Sequence, residues 1–197
     1  MKKLLSALAA TVLFAHASVA GTIVYTANLT GSGENPSNAS PGTGEAIVTI
    51  DTIAQTMEVN VVFSGLVGTT TASHIHCCEA TPNANVNVGV ATATPTFTSF
   101  PLGVTSGTYD HLFDLTLAST YNPAFVSSPT GGNGSVATAE SVLLAGIANQ
   151  ETYLNIHTST FAGGEIRGIL TPTPEPSALF LAGTALLAVG VFRKKTS

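Results

Sequence analysis

The sequence predicts an all-β domain, an antiparallel β-sandwich or barrel with one short helix, lying between two apolar terminal segments. Three observations lead to this prediction. Apolar and polar residues alternate over several short runs, which is typical of half-buried strands. Segments rich in Gly, Pro, Asn and Ser separate these runs and indicate turns. Many short strands joined by such turns favour a sandwich or barrel over other architectures.

The clearest alternation covers residues 57–63, where Met57, Val59 and Val61 are separated by Glu58 and Asn60. By the same reading we predict strands over residues 23–29, 46–50, 57–63, 72–77, 107–117, 152–158 and 164–170. Residues 31–44 form a loop dense in turn residues. One helix is predicted over residues 137–148, because its apolar side chains recur at helical spacing (Ala139, Val142, Leu143 and Ile147).

The N-terminus has the three parts of a secretory signal peptide. A basic start at Met1–Lys3 precedes an apolar stretch, and Ser18-Val19-Ala20 forms a small-x-small cleavage site. We expect signal peptidase to cut between Ala20 and Gly21, so residues 1–20 are assigned to the signal peptide. A retained N-terminal anchor is less favoured, because the apolar stretch is short.

The C-terminus carries a second segment of unusual composition. Pro174-Glu175-Pro176 precedes residues 177–192, an uncharged run of roughly 16 residues that is slightly short of the ~20 needed to span a bilayer. The basic residues Arg193, Lys194 and Lys195 follow, and they would stay on the cytoplasmic side. A plain membrane anchor, a transmembrane helix over residues 177–192, is one interpretation.

This tail also resembles the PEP-CTERM sorting signal of Gram-negative bacteria. The resemblance implies an exported protein of the cell envelope or extracellular space that an exosortase, a membrane protease-transpeptidase, processes near Pro174–Pro176. We assign residues 174–197 to this signal, which would hold the protein in the membrane at least transiently.

The remaining residues, 21–173, are long enough for one domain with a hydrophobic core. They hold ten carboxylates and a single basic residue, Arg167, so their charge is near −9. Because such a surface repels phosphate backbones, we expect no nucleic acid partner.

Four histidines could carry chemistry, and three of them have related positions. Residues two apart on a strand share a face, so His74 and His76 lie together while Ile75 turns to the core. On a second strand Asn155 and His157 would share the outer face. If the two strands are neighbours, three imidazoles meet.

Glu165 and Arg167 are also two apart and could lie beside these imidazoles. Three neutral histidines with a carboxylate suit zinc or copper. Two alternatives remain open: a structural network in which Glu165 and Arg167 form an ion pair, or histidines that face solvent. His111 is a weaker candidate, since it shares a face with Tyr109 and Phe113.

Cys77 and Cys78 follow the histidine pair directly and are the two cysteines of the chain. They could form a vicinal disulfide, remain free thiols or bind a metal. We favour a disulfide or a structural turn, because the protein is exported and a regular strand would bring only Cys78 to the histidine face.

The residues of several motifs together resemble the CHRD domain, a domain found in chordin. They lie at residues 44–46, 64–66, 72–76, 153–158 and 163–168. The resemblance covers about residues 22–170 and implies a Greek-key, immunoglobulin-like β-sandwich. It implies no biochemical activity. The Cys77–Cys78 pair departs from the family pattern, in which a small or glycine-rich turn follows the histidines.

Three functions follow as expectations. The first is an exported binding or structural module at the cell surface or in an exopolysaccharide matrix, with other envelope components as partners. The absence of a nucleophile motif from the sequence favours this non-enzymatic reading. The alternative is a copper or zinc protein that uses His74, His76 and His157, with oxidoreductases among the classes that this site would suit. A third and weaker expectation is carbohydrate or peptide recognition on the face of Tyr109 and Phe113.

Overall fold

The structure is a computed structural model that describes residues 21–173. The predicted signal peptide and the predicted sorting signal, with its apolar helix, lie outside the described residues. Eight strands and two helices follow one another as β1 (Ile23–Thr30), β2 (Thr43–Asp51), β3 (Thr56–Ser64), β4 (Thr70–Cys77), β5 (Gly107–Asp114), α1 (Pro123–Ser127), α2 (Val136–Ala148), β6 (Thr152–Thr158), β7 (Ile166–Ile169) and β8 (Thr171–Pro172).

All strands belong to one antiparallel sheet that curls into a half-barrel. The spatial order is β4-β6-β7-β1-β2-β3-β5, with the short β8 paired to β1. The predicted fold class, mostly β and antiparallel, is therefore confirmed. Among residues 21–173, α2 is the one helix of seven or more residues. The hairpins β1–β2 and β2–β3 follow the chain, whereas the pairs β4–β6 and β7–β1 join segments far apart in sequence.

Two predicted strands are longer than the observed ones, and one short helix was not predicted. The strand predicted over residues 107–117 ends at Asp114, because the Asp114 carboxylate accepts a 2.8 Å hydrogen bond from the Thr116 backbone and caps a turn. The strand predicted over residues 164–170 begins at Ile166 and is short. A five-residue helix, α1, was not predicted; Asn122 caps it and Pro123 occupies its first position.

The core fills the inner face of the half-barrel. Alternate residues of each strand point inward, as their apolar pattern predicts. Helix α2 packs Ala139, Leu143 and Ile147 into the same core, and the Ser135 side chain caps its N-terminus. The strand residues that are almost fully buried there include Val48, Val59, Val61, Ile75, Leu154, Ile156 and Ile166.

A second buried layer lies on the outer face of β4, β6 and β7. The chain after β4 folds back along the edge of that strand, so Cys77 donates a backbone hydrogen bond to Gly89 and Phe97 donates one to Ser73. An isolated bridge joins His76 to Val90 in the same region. Because this loop covers the outer face, polar side chains there are shielded from water.

Candidate functional site

Strands β4 and β6 bring three histidines to the covered outer face. In their antiparallel register His74 lies opposite Asn155, and His157 lies opposite Ala72, one step along the same face. The ring centres of His74 and His157 are 5.3 Å apart, and those of His76 and His157 are 6.1 Å apart. Ile75, between the two β4 histidines, is fully buried in the core. The alternation along the strands therefore places the imidazoles on the outer face of the sheet and the apolar residues on the core face.

Backbone carbonyls of the surrounding loops orient each ring. His74 Nε2 lies 2.8 Å from the Pro95 oxygen, His76 Nδ1 lies 2.8 Å from the Val88 oxygen, and His157 Nδ1 lies 2.9 Å from the Ala162 oxygen. A carbonyl can only accept, so each of these nitrogens carries the proton and donates it. The second nitrogen of each neutral ring is then a lone-pair acceptor.

The three acceptor nitrogens converge. One ring nitrogen from each of His74, His76 and His157 lies within 4.8 Å of the other two. The nitrogens that lack a hydrogen-bond partner among residues 21–173 are His74 Nδ1, His76 Nε2 and His157 Nε2. Buried acceptors without a donor are costly, and a metal ion bound by all three nitrogens would satisfy them together. A ligating histidine in proteins characteristically donates its other ring N–H to a carbonyl or carboxylate. This donor set fits a metal ion.

Burial keeps the imidazoles neutral. It lowers the pKa of His74 to about 4 and that of His76 to about 4, although the Pro95 and Val88 carbonyls favour the protonated rings and work against this shift. Burial also lowers the pKa of His157. At neutral pH all three rings are therefore in the form that binds a metal.

A stack of aromatic and cationic groups supports one side of the cluster. The Tyr153 ring packs parallel to His76 with 4.6 Å between ring centres, and the Arg167 guanidinium lies over the Tyr153 ring. Arg167 also donates to Glu79 at 3.2 Å and to the Asn87 side chain at 2.9 Å. Its partner is thus Glu79, so the alternative of a Glu165–Arg167 ion pair is wrong.

Glu165 lies away from the imidazole nitrogens. Its carboxylate accepts hydrogen bonds from the Ser40 and Thr158 hydroxyls, both at 2.6 Å, and from the backbone of Val67 and Gly68. Burial would raise the pKa of Glu165, but these four donors together hold it below its usual value. Glu165 therefore fastens two loops to the end of β6 and is not in a position to bind the same ion.

Asn155 and Glu34 complete the buried polar layer. Asn155 lies between His74 on one neighbouring strand and Arg167 on the other. Glu34, from the loop after β1, is 3% exposed, and one of its oxygens has no hydrogen-bond partner among the described residues. Burial raises the pKa of Glu34 to about 7, against the opposing effects of the Arg167 charge and the Asn155 amide.

Cys77 and Cys78 form a vicinal disulfide. Its sulfurs face helix α2, where a β-carbon added to Gly146 would lie 2.7 Å from both of them. They also border a cleft of about 370 Å³ whose wall includes Val90 and Phe125. Because the sulfurs are bonded to each other and turned from the histidines, the alternative of two cysteine metal ligands does not hold.

His111 is separate from the cluster. It lies on β5, at the sheet edge opposite β4, and packs between Tyr109 and Phe113. Glu34 and Glu79 are site residues that the sequence did not identify, because both lie in loops without periodicity. The loop carbonyls that orient the imidazoles carry no side-chain signal at all.

No helix among residues 21–173 is long and apolar enough to cross a bilayer. Comparison with curated proteins and with solved structures found no match for this chain. Two family profiles match it: the CHRD domain over residues 25–170 and the PEP-CTERM protein-sorting motif over residues 172–195. The sorting motif marks an exported, envelope-associated bacterial protein that an exosortase processes. The chain therefore belongs to the CHRD domain family and carries a PEP-CTERM sorting motif, as the resemblance of its motifs predicts.

Proposed function

We propose that the mature domain is an exported binding module whose ligand is a zinc or copper ion held by His74, His76 and His157. The observation that carries this proposal is the convergence of three unpartnered imidazole nitrogens within 4.8 Å. Each opposite ring nitrogen is already fixed by a carbonyl, so the binding geometry exists before the ion arrives. Preorganisation of this kind removes much of the ordering cost of binding.

The ligand type supports zinc or copper as the ion. Neutral imidazoles suit zinc and copper, whereas calcium and magnesium take oxygen ligands. Three protein ligands would leave one coordination position of a tetrahedral ion open. Because the imidazoles are neutral, they would not offset the charge of a divalent ion, which could then polarise a molecule bound at the open position. His157 is the least buried of the three residues.

The test measures metal directly. The full chain is purified, supplied with micromolar zinc or copper, dialysed, and analysed for metal content. We expect about one ion per chain, as for a single three-histidine site, and strong loss in His74→Ala and His157→Ala. His111→Ala is the matched control, since this ring lies outside the cluster, and it should bind as the parent does.

The result also separates a binding role from a structural one. If the parent chain retains no metal, the proposal is wrong. If metal is bound but both cluster variants keep it and lose stability, the histidines are structural anchors and the ion binds elsewhere.

We also propose that the tail holds the protein in a Gram-negative cell membrane, at least until processing, and delivers it to the surface or to an exopolysaccharide matrix. The uncharged residues 177–192 and the basic residues after them support this. Deleting residues 177–197 should abolish retention of the protein at the cell surface. Continued retention of the deletion variant on cells would contradict the role given to the tail.

A further inference from the structure

The tail leaves the domain from a defined point on the sheet. Strand β8 pairs with β1 through Pro172 opposite Tyr25, and the Thr173 backbone then donates a 2.9 Å hydrogen bond to Val24. The sorting motif matched over residues 172–195 thus begins inside the folded domain. The chain is fixed to β1 up to the residue before Pro174.

Four other strand ends and one turn lie at this same end of the half-barrel. β1 begins there opposite the end of β2, the β2–β3 turn follows, and β5 ends opposite the start of β3. We call this end the tail rim. Four large apolar side chains are exposed at or beside it: Ile23, Ile53, Leu112 and Leu117, with exposed fractions of 39%, 72%, 61% and 51%.

The linker between the tail rim and the apolar tail is short. Three residues, Pro174–Pro176, separate Thr173 from residue 177, where the uncharged run begins. The four Cα–Cα steps from Thr173 to residue 177 span at most about 14 Å when fully extended. The polar layer on each side of a bilayer is about 5–8 Å thick. When the tail is in the membrane, the tail rim therefore cannot be far from the lipid headgroups.

The charge of this end favours apolar rather than electrostatic contact. The single basic side chain of residues 21–173, Arg167, is buried against Glu79 and cannot reach a lipid. The amino group that signal cleavage would create at Gly21 is the one cation expected near the rim. Asp51 and Asp114 use their carboxylates to cap their own turns. Zwitterionic lipid is therefore the fitting surface.

We propose that the tail rim rests on the lipid surface, with Ile53 and Leu117 among the headgroups, and that this contact fixes the orientation of the domain on the membrane. The inference depends on the proposed membrane role of the tail. The opposite end of the half-barrel offers a comparison, because Val67 and Leu102 are similarly exposed there. That end is a strand length away, about 30 Å for nine residues, and would stay in water.

The absence of tryptophan from the sequence makes a clean test available. The chain without its signal peptide, residues 21–197, is prepared with one tryptophan at a time, Ile53→Trp or the matched control Val67→Trp, and reconstituted in phosphatidylcholine vesicles. Flotation of the vesicles reports whether the tail anchors the chain. Quenching by brominated lipid and by aqueous acrylamide then reports the surroundings of each indole.

We expect the chain to float with the vesicles, and brominated lipid to quench Ile53→Trp several-fold more strongly than Val67→Trp. Acrylamide should show the reverse preference, and high salt should change neither. Equal quenching of the two indoles in floating protein would overturn the rim contact and leave the anchor standing. If the chain does not float, the anchor fails and the rim contact fails with it.

Discussion

The guanidinium carbon of Arg167 lies 3.5 Å from the centre of the Tyr153 ring. Tyr153 belongs to β6, between the strands of Arg167 and His76, and its other face stacks on His76. One cation, one phenol ring and one imidazole thus form a continuous stack across three strands. Cation–π contacts strengthen when they are shielded from water, and all three residues are buried here. The Tyr153 ring therefore links Arg167 to His76.

Replacing Arg167 should be strongly destabilising. Arg167→Met removes the cation and leaves the Glu79 carboxylate buried without a partner, which costs about 3–5 kcal/mol in the free energy of unfolding. Arg167→Lys keeps the charge but loses the planar stack and the fork of hydrogen bonds, so it should recover part of the loss. Urea denaturation of the purified chain measures both. The double variant Arg167→Met, Glu79→Gln is the control and should be more stable than Arg167→Met alone; no such recovery would mean that the pair is not the cause.

Acid should unfold the metal-free protein through the histidine cluster. His74 and His76 have pKa values of about 4 in the folded state, below the usual 6.5, so the unfolded chain binds more protons between those values. The contribution of the neutral rings to the free energy of unfolding is then fully present above pH about 6.5. It falls as the pH drops toward 4, by up to about 3 kcal/mol for each ring. Chemical denaturation across this range tests the slope, with His76→Gln expected to flatten it. A parent chain whose stability is constant from pH about 6.5 to 4 would contradict the neutral, buried state of the rings.

Glu34 should change the pH dependence of stability in the opposite direction. Its pKa rises from 4.5 to about 7 on folding, so the folded state binds the extra proton and loses stability as the pH increases through that window. Glu34→Gln has no such loss. The stability of this variant relative to the parent should therefore grow by up to about 3 kcal/mol between pH about 5 and 8. Glu45→Gln is the control, because Glu45 is exposed on β2. The stability of this variant relative to the parent should show no comparable change with pH.

Local periodicity predicted much of this fold and part of the site. Alternation around Ile75 and Ile156 predicted which residues face the core, so the shared face of His74, His76 and His157 follows once β4 and β6 are paired. That β4 and β6 are neighbours was assumed and was not predicted from the sequence. The two strands are separated by more than seventy residues of loop, β5 and two helices, and nothing local specifies a long-range pair.

The contacts that complete the site could not be read from the sequence. Pro95, Val88 and Ala162 act through backbone carbonyls, which every residue has. Glu79 pairs with Arg167 from a loop, while Glu165, which has the spacing of a ligand, turns to a different loop. Its direction depends on where the Val67–Gly68 backbone presents unpaired N–H groups, and that is a property of the tertiary structure.

Glu165 should therefore be required for stability and not for metal. Glu165→Ala leaves the Ser40 and Thr158 hydroxyls and two backbone N–H groups without their acceptor, which we expect to cost about 3–5 kcal/mol in unfolding free energy. Glu165→Gln keeps the shape and should cost less. Metal content of the folded Glu165→Gln protein should equal that of the parent. A loss of bound metal there, with the fold intact, would assign Glu165 a direct part in binding.

The close packing of helix α2 on the disulfide gives the last prediction. A methyl group at Gly146 would lie 2.7 Å from the Sγ atoms of both Cys77 and Cys78, closer than real contacts allow. Overpacking costs about 1–3 kcal/mol, and the better helix propensity of alanine offsets about 1 kcal/mol of it. Thermal unfolding should show a net loss of stability for Gly146→Ala.

Two controls isolate the sulfur contact. Gly163→Ala has open space around the new methyl group and should leave stability nearly unchanged. In a Cys77→Ala, Cys78→Ala background the sulfurs are absent, so Gly146→Ala should become neutral or stabilising, because the alanine then gains helix propensity without a clash. An equal loss in both backgrounds would place the cause elsewhere in the helix and remove the argument that the disulfide fixes how closely α2 approaches β4.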